Sequence, residues 1–347
     1  MAESAIGWTD AVWNCVVGCS RVSAGCQRCY AEVLAHRLAA MGQGKYRGLT
    51  KKVGGEVRWT GEVRFVEDAL TLPLTWRKPR RVFVNSMSDL FHERVADEWI
   101  DRIFAVMALA PQHTFQVLTK RPERMRAYFS TREPEEPWRR DWNICGALRE
   151  HHAADERWLD ADFRWPLPNV HLGVSVEDQA TADQRIPLLL ATPAAVRWVS
   201  YEPALGPVDF SAWLTRPNPH PATSGARTEA GQGHRESREE RDTPHAERSC
   251  DGRPSQTLLN WVVIGGESGP GARPFHVAWA RSVIAQCRAA GVPVFMKQLG
   301  AHPVCVFDEW DGTPQANRWG DGPALTDRKG GDMSEWPEDL RVREFPR

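Results

Sequence analysis

Short apolar runs alternate with stretches of helical periodicity along most of the chain. Val82–Asn85, Thr114–Thr119, Val170–Val176, Val196–Tyr201, Asn260–Gly265 and Val292–Lys297 are apolar and β-branched, with little polar alternation. Such runs predict parallel strands buried on both faces. A further short strand is predicted near Ala11–Asn14, ahead of a loop rich in cysteine. Between the runs, Cys26–Met41 places Val33, Leu34, Leu38 and Met41 at helical spacing and stops at Gly42, which predicts an amphipathic helix with those four on its apolar face. Asp97–Ala110 carries Ile100, Ile103, Phe104 and Met107 on one stripe and ends before Pro111. Val277–Ala290 ends at Gly291 and sets Val283, Ile284 and Cys287 on an apolar face, so Cys287 reads as a core thiol. Pro187 predicts two short helices after Asp178 instead of one. Glu56–Val66 holds two β-like runs around Thr60-Gly61 and reads as a hairpin outside the main pattern.

About seven alternating units predict an α/β fold, a partial or complete parallel (β/α) barrel, as a single domain over residues 1–210 and 259–347. Residues 211–258 break the rhythm. Thr215–Gln256 is rich in Pro, Gly, Ser, Arg, Glu and His, so it is expected to be a disordered insertion with Cys250 incidental. Residues 130–168 form a second polar excursion, in which Cys145 has no ligand partner nearby in sequence.

The totals narrow the class. With 347 residues, 41% of them hydrophobic, the chain can bury a sizeable core, and no run approaches the roughly 18 apolar residues of a membrane span. The amino-terminal residues show no basic start and no apolar core, so a cytoplasmic location is expected. In that reducing compartment eight cysteines read as metal ligands and buried thiols. The formal charge of −1 offers no global basic field for nucleic acid. Local basic stretches, Arg77-Lys78-Pro79-Arg80-Arg81 and Lys120-Arg121 with Arg124 and Arg126, read first as solvated surface.

Polar groups recur where the apolar runs stop: Asn85-Ser86-Met87-Ser88-Asp89, Thr119-Lys120-Arg121, Ser175-Val176-Glu177, Ser200-Tyr201-Glu202, Gly265-Gly266-Glu267 and Lys297-Gln298. Ligands of parallel α/β folds sit at the carboxyl ends of the strands. Glu177, Glu202 and Glu267 at equivalent places would repel one another unless something uses them. The other chemical feature is a cluster of four cysteines, Cys15, Cys19, Cys26 and Cys29. A four-thiolate zinc site, a reactive or disulfide role, and an iron–sulfur cluster on three cysteines with one iron open are the competing readings.

The run Trp13-Asn14…Gly18-Cys19-x6-Cys26-x2-Cys29-Tyr30-Ala31-Glu32 resembles the phage-associated three-cysteine-motif proteins of the radical S-adenosylmethionine (SAM) type. The similarity continues through Val84–His92, Leu118–Pro122, Leu172–Glu177, Glu202-Pro203, Gly265–Pro270 and Lys297-Gln298. It implies that Cys19, Cys26 and Cys29 ligate a [4Fe–4S] cluster that binds SAM at its open iron. An external electron donor would then allow formation of a 5′-deoxyadenosyl radical. The spacing C-x6-C-x2-C departs from the usual C-x3-C-x2-C, and Cys15 is a bystander or an alternate ligand. By position at the strand ends, Ser86, Ser88 and Asp89 are expected at the amino group of SAM, and Ser175 and Glu177 at its ribose. Glu202, Glu267, Lys297 and Gln298 are expected on the substrate side as catalytic groups, with Lys120 and Arg121 holding an anionic group. The phage resemblance and the local basic residues point to a nucleotide or nucleic-acid-related substrate. A non-catalytic, zinc-stabilised nucleic-acid-binding protein and a metal-dependent hydrolase using Glu177, Glu202 and Glu267 are the alternatives.

Overall fold

Seven of the apolar runs lie side by side in chain order, each next to the strand before it. They are β1 (Ala11–Trp13), β2 (Arg81–Val84), β3 (Thr114–Thr119), β4 (Val170–Val176), β5 (Val196–Tyr201), β6 (Trp261–Gly265) and β7 (Val294–Gln298). All six pairings are parallel. Strands β1 and β7 are the two edges and do not pair with each other, so the sheet is a curled half-barrel and not a closed one. This computed structural model describes residues 4, 6–130, 166–214, 258–307, 314–316 and 325–346. Cys145, Cys250 and nearly all of the two polar excursions lie outside the described residues.

The crossovers carry α1 (Tyr30–Ala40), α2 (Asp97–Leu109), α3 (Pro122–Ser130), α4 (Gln179–Leu190) and α5 (Val277–Ala290). Side chains alternate across a strand, and here both faces are largely buried. The outer set, including Val82, Val84, Phe115, Val117, Leu172, Val174, Val262 and Ile264, packs against Ile100, Phe104, Ile186, Leu189, Val283 and Cys287 of the helices. Burial pushes the Cys287 thiol up to about 12, as befits a core thiol. Among the described residues no helix is long and apolar enough to cross a membrane.

The inner set is aromatic at the amino ends of the strands. Trp8, just ahead of β1, meets Phe83 at 4.8 Å and Trp198 at 5.2 Å between ring centroids, and Trp198 meets Trp261 at 5.2 Å. Phe295 completes this floor. Gly173 makes it possible, because a Cβ there would stand 2.5 Å from the Trp198 indole. Gln116 donates to the Trp8 carbonyl at 3.2 Å. The indole nitrogens of Trp8 and Trp198, Oε1 of Gln116 and Nδ1 of His171 are buried in the same floor without a protein partner among the described residues. Ordered water is the usual partner of such groups. At the β7 edge, Val342 and Glu344 add backbone bonds of 2.9 and 3.0 Å to Met296 and Val294, which covers an otherwise open strand.

Three local expectations are corrected. Pro187 stays inside a single helix, Gln179–Leu190. Its missing amide costs one bond, but Ala182, Ile186 and Leu189 pack into the core, and Asp178 and Thr181 form a reciprocal cap at the start. The hairpin pairs Thr50–Val53 with Glu56–Trp59, turning at Gly54-Gly55, whose φ values of 59° and 83° suit a two-residue turn. Arg64–Phe65 instead pairs with Val16–Val17. Helix α1 is the third case. It buries Ala31, Glu32 and Ala35, while Tyr30, Val33, Leu34 and Met41 are 55%, 54%, 36% and 73% exposed. The space behind it is filled by Val17, Tyr46, Leu49, Trp59 and Met87, which suits a face of small side chains. Glu32 enters because Arg21 Nη2 at 2.6 Å and the Trp59 amide at 3.0 Å satisfy its carboxylate.

Candidate functional site

The alternation that puts Phe83, Gln116, His171, Trp198, Trp261 and Phe295 inside the half-barrel continues upward in steps of two. It delivers Lys120, Ser175, Glu177, Ser200, Glu202 and Lys297 to the inner face at the carboxyl ends. There the three glutamates separate. Glu177 has no exposure; Lys120 Nζ lies 2.7 Å away, Arg185 Nη1 3.2 Å away, and the Ser23 hydroxyl donates to it at 2.9 Å. Burial alone would raise its pKa, but Lys120, Arg185 and these hydrogen bonds outweigh burial and hold the carboxyl below its usual range. Glu202 is paired with Lys297, and both remain partly open to solvent. Glu267 is turned into its own loop, where Arg273 grips it through the side chain and through its backbone amide at 2.9 Å. The repulsion expected from three equivalent carboxylates is therefore relieved by a cation at each.

The cysteine loop crosses this mouth. Asn14 and Asn85, at the ends of β1 and β2, brace its start: Oδ1 of Asn14 accepts from the Ser86 hydroxyl and the Met87 amide, at 3.2 and 3.1 Å. Asn85, at φ 58°, accepts the Val16 amide at 3.1 Å. Cys15 is fully buried in the main core and donates to Asn85 Oδ1 at 3.8 Å. Burial raises its thiol far above the usual range, so Cys15 stands apart from the other three as a neutral core thiol. Cys19, Cys26 and Cys29 are half-buried. Their charges would act on one another across the loop. Burial foremost, then the Asp89 carboxylate, pushes Cys19 up to about 12 against the pull of Arg121; burial raises Cys29 as well. Free of any metal these two are thiols, and ligation would release their protons.

Several contacts seat the loop on the strand ends. Ser23 reaches Glu177, and a Cβ at Gly25 would run into the same carboxylate, so the chain passes directly over it. Arg28 approaches the Pro270 carbonyl at 3.4 Å in the loop after β6. Cys29 precedes α1, and the Tyr30 hydroxyl donates to the Ser86 carbonyl at 2.9 Å. The hub is Arg121, which is buried. It donates to Glu93 at 3.0 Å, to Asp89 at 3.1 Å and to the Ser20 hydroxyl at 2.7 Å, and Nη1 lies 3.7 Å from the Cys19 sulfur. Burial, aided by the nearby Arg121 charge, holds His92 below its ordinary pKa. Its Nδ1 accepts the Arg94 amide, so Nε2 carries the proton toward Ser20, 3.0 Å away.

The remaining expected site residues have the following partners. Asp89 is spent on Thr119 at 2.7 Å, the Lys120 amide at 3.0 Å and Arg121, so it clamps the β2 and β3 loops together. Lys120 is ion-paired with Glu177, and Arg121 with Asp89 and Glu93. Ser86 is bonded to Asn14, whereas the Ser88 hydroxyl, beside Gly18 of the cysteine loop, is buried with no hydrogen-bond partner among the described residues. The Ser175 carbonyl accepts from Arg185 at 2.7 Å. Gln298 donates to the Gly266 carbonyl at 2.8 Å and anchors that loop. Glu202 and Lys297 remain as the ion pair in the mouth. Sequence reasoning missed Ser20, Ser23, Gly25, Arg28, Arg185 and Arg273. Ser20, Ser23, Gly25 and Arg28 lay inside the quoted cysteine run; Arg185 and Arg273 carried no local signal. Among the described residues no three His, Cys, Asp or Glu converge on a single metal ion.

A family model described as "Protein of unknown function (DUF5131)" matches residues 3–324. No curated protein and no solved structure matches the chain.

Proposed function

The chain belongs to that family, and we propose that it is a radical-SAM-type enzyme in which Cys19, Cys26 and Cys29 hold a [4Fe–4S] cluster. One observation carries the reading. Three half-buried thiols share one loop over the carboxyl ends of a parallel half-barrel, while the fourth, Cys15, is withdrawn into the core. Arg121 beside Cys19 offers a positive charge to an anionic centre, and the Ser88 hydroxyl, unpartnered among the described residues, offers a hydrogen bond close by. When bound, cluster and SAM supply one-electron cleavage of the sulfonium and a carbon radical that removes a substrate hydrogen.

The chain's own side chains then do the following. Arg121, Asp89 and Ser20 fix the Cys19 end of the loop. Glu177, neutralised by Lys120 and Arg185, fixes its middle through Ser23. Glu202 and Lys297 meet the substrate, the lysine as a charge for an anionic group and the glutamate as a proton acceptor. A nucleotide or nucleic-acid-related substrate fits that lysine, an external electron donor is required, and a reducing cytoplasm suits an air-sensitive centre.

Anaerobic reconstitution tests the reading. Wild type binds iron and sulfide in a four-to-four ratio, turns brown and releases 5′-deoxyadenosine from SAM; Cys19→Ser, Cys26→Ser and Cys29→Ser lose the iron, whereas Cys15→Ala keeps it. A colourless protein with stoichiometric zinc defeats the proposal.

A further inference from the structure

Helix α1 wears its apolar face outward. Tyr30, Val33, Leu34 and Met41 recur at the spacing of one stripe, and all four are exposed, while the buried side is Ala31, Glu32 and Ala35. Contiguous exposed apolar stripes mark contact surfaces in proteins of this kind. The stripe also has a charged border. No Asp or Glu occurs between Glu32 and Glu56, a stretch that contains Arg37, Lys45, Arg47, Lys51 and Lys52. Arg37 lies on the stripe itself, and the hairpin bearing Lys51 and Lys52 packs against α1. Among the described residues none of these five cations has a carboxylate within ion-pair distance. An apolar centre with a positive rim calls for a partner with an apolar centre and a rim of carboxylates. A second copy of this chain meeting the same face would set five cations against five, which disfavours a symmetric dimer.

Position indicates what the partner does. Helix α1 begins at the residue after Cys29, and Tyr30 reaches Ser86 on the rim, so the stripe abuts the thiol trio. We propose that α1 and the Thr50–Trp59 hairpin form the docking surface for an acidic one-electron carrier protein that reduces the centre at Cys19, Cys26 and Cys29. This rests on the cluster reading above. The step is a bare electron transfer: the carrier's reduced cofactor loses one electron, the cluster gains it, and no bond or proton changes hands.

Two acidic carriers, a flavodoxin and a [2Fe–2S] ferredoxin, serve as probes in titration calorimetry with reconstituted protein. At least one binds wild type, and raising the salt from about 50 to about 300 mM weakens binding about tenfold, because rim charges are screened. The double variants Val33→Glu/Met41→Glu and Lys51→Glu/Lys52→Glu each weaken it at least about tenfold, with unchanged melting temperature and iron content, while Val33→Ile/Met41→Leu binds like wild type. Reduction of the cluster by dithionite is the same in all of them; reduction by the carrier slows in step with binding. Failure of both carriers to bind wild type, or equal binding by the charge variants, overturns the proposal. So does a wild-type dimer that Val33→Glu/Met41→Glu splits, or a single-stranded oligonucleotide that displaces the carrier from this face. Iron and sulfide analysis keeps the claims apart: absence of a cluster defeats the reading of the site, whereas a loaded protein with indifferent variants defeats only the docking surface.

Discussion

Glu177 and Glu202 follow neighbouring strands β4 and β5 at matching heights, one residue beyond the aligned pair Val176 and Tyr201. Sequence position makes them equivalent, but their surroundings make them opposites. Glu177 is sealed, with two cations and a hydroxyl around it, and braces the cysteine loop against the barrel. Glu202 shares one lysine and keeps water at hand. A carboxylate at a strand end is therefore not a reactive group by virtue of its place; the count of partners decides whether it is a strut or a reagent.

The widest separation between the two comes from removing each carboxylate. Glu177→Ala strands Lys120 and Arg185 without their counter-charge, and breaking a buried pair in this way costs about 3–5 kcal/mol. Denaturant unfolding reads it directly, and a loss below about 1 kcal/mol would mean the strut description is wrong. Acidification probes the same strut more gently. Because the folded Glu177 is held below its ordinary 4.5, the unfolded chain takes up its proton first. Its contribution is complete above 4.5 and fades as pH falls through the folded value. His171 acts in a higher window: burial lowers it from 6.5 to about 4, so the unfolded chain again binds more protons and stability drops between those values. At 1.36 kcal/mol per unit the His171 effect reaches at most about 3 kcal/mol. A melting-temperature profile should show both limbs, and Glu177→Gln should erase only the lower one. The smallest effect belongs to Glu202→Gln, whose half-open ion pair contributes no more than about 1 kcal/mol to stability. Turnover of the reconstituted enzyme should nevertheless collapse. A variant that unfolds early instead would erase the contrast.

The strands and the helices α2 and α5 were legible because periodicity and stop signals agreed: Val277–Ala290 appears with the expected bounds. Gly54-Gly55 also carried a readable turn signal, overlooked in favour of Thr60-Gly61. What periodicity does not say is which side of a helix faces inward. In α1 the small-residue side won because the large side chains of Tyr46, Trp59 and Met87 already occupy the space behind it. At the mouth, residue types were legible and allegiances were not. Asp89 and Arg121 are distant from Cys19 in sequence, and only folding shows that they meet at the cysteine loop. Cys15 was separated from its neighbours by its burial, which the cysteine spacing alone did not reveal.

The tryptophan floor has a consequence for traffic. Trp8, Trp198 and Trp261 stopper the amino ends of the strands, so a ligand approaches the inner face from the opposite end, where Glu202 and Lys297 are partly exposed.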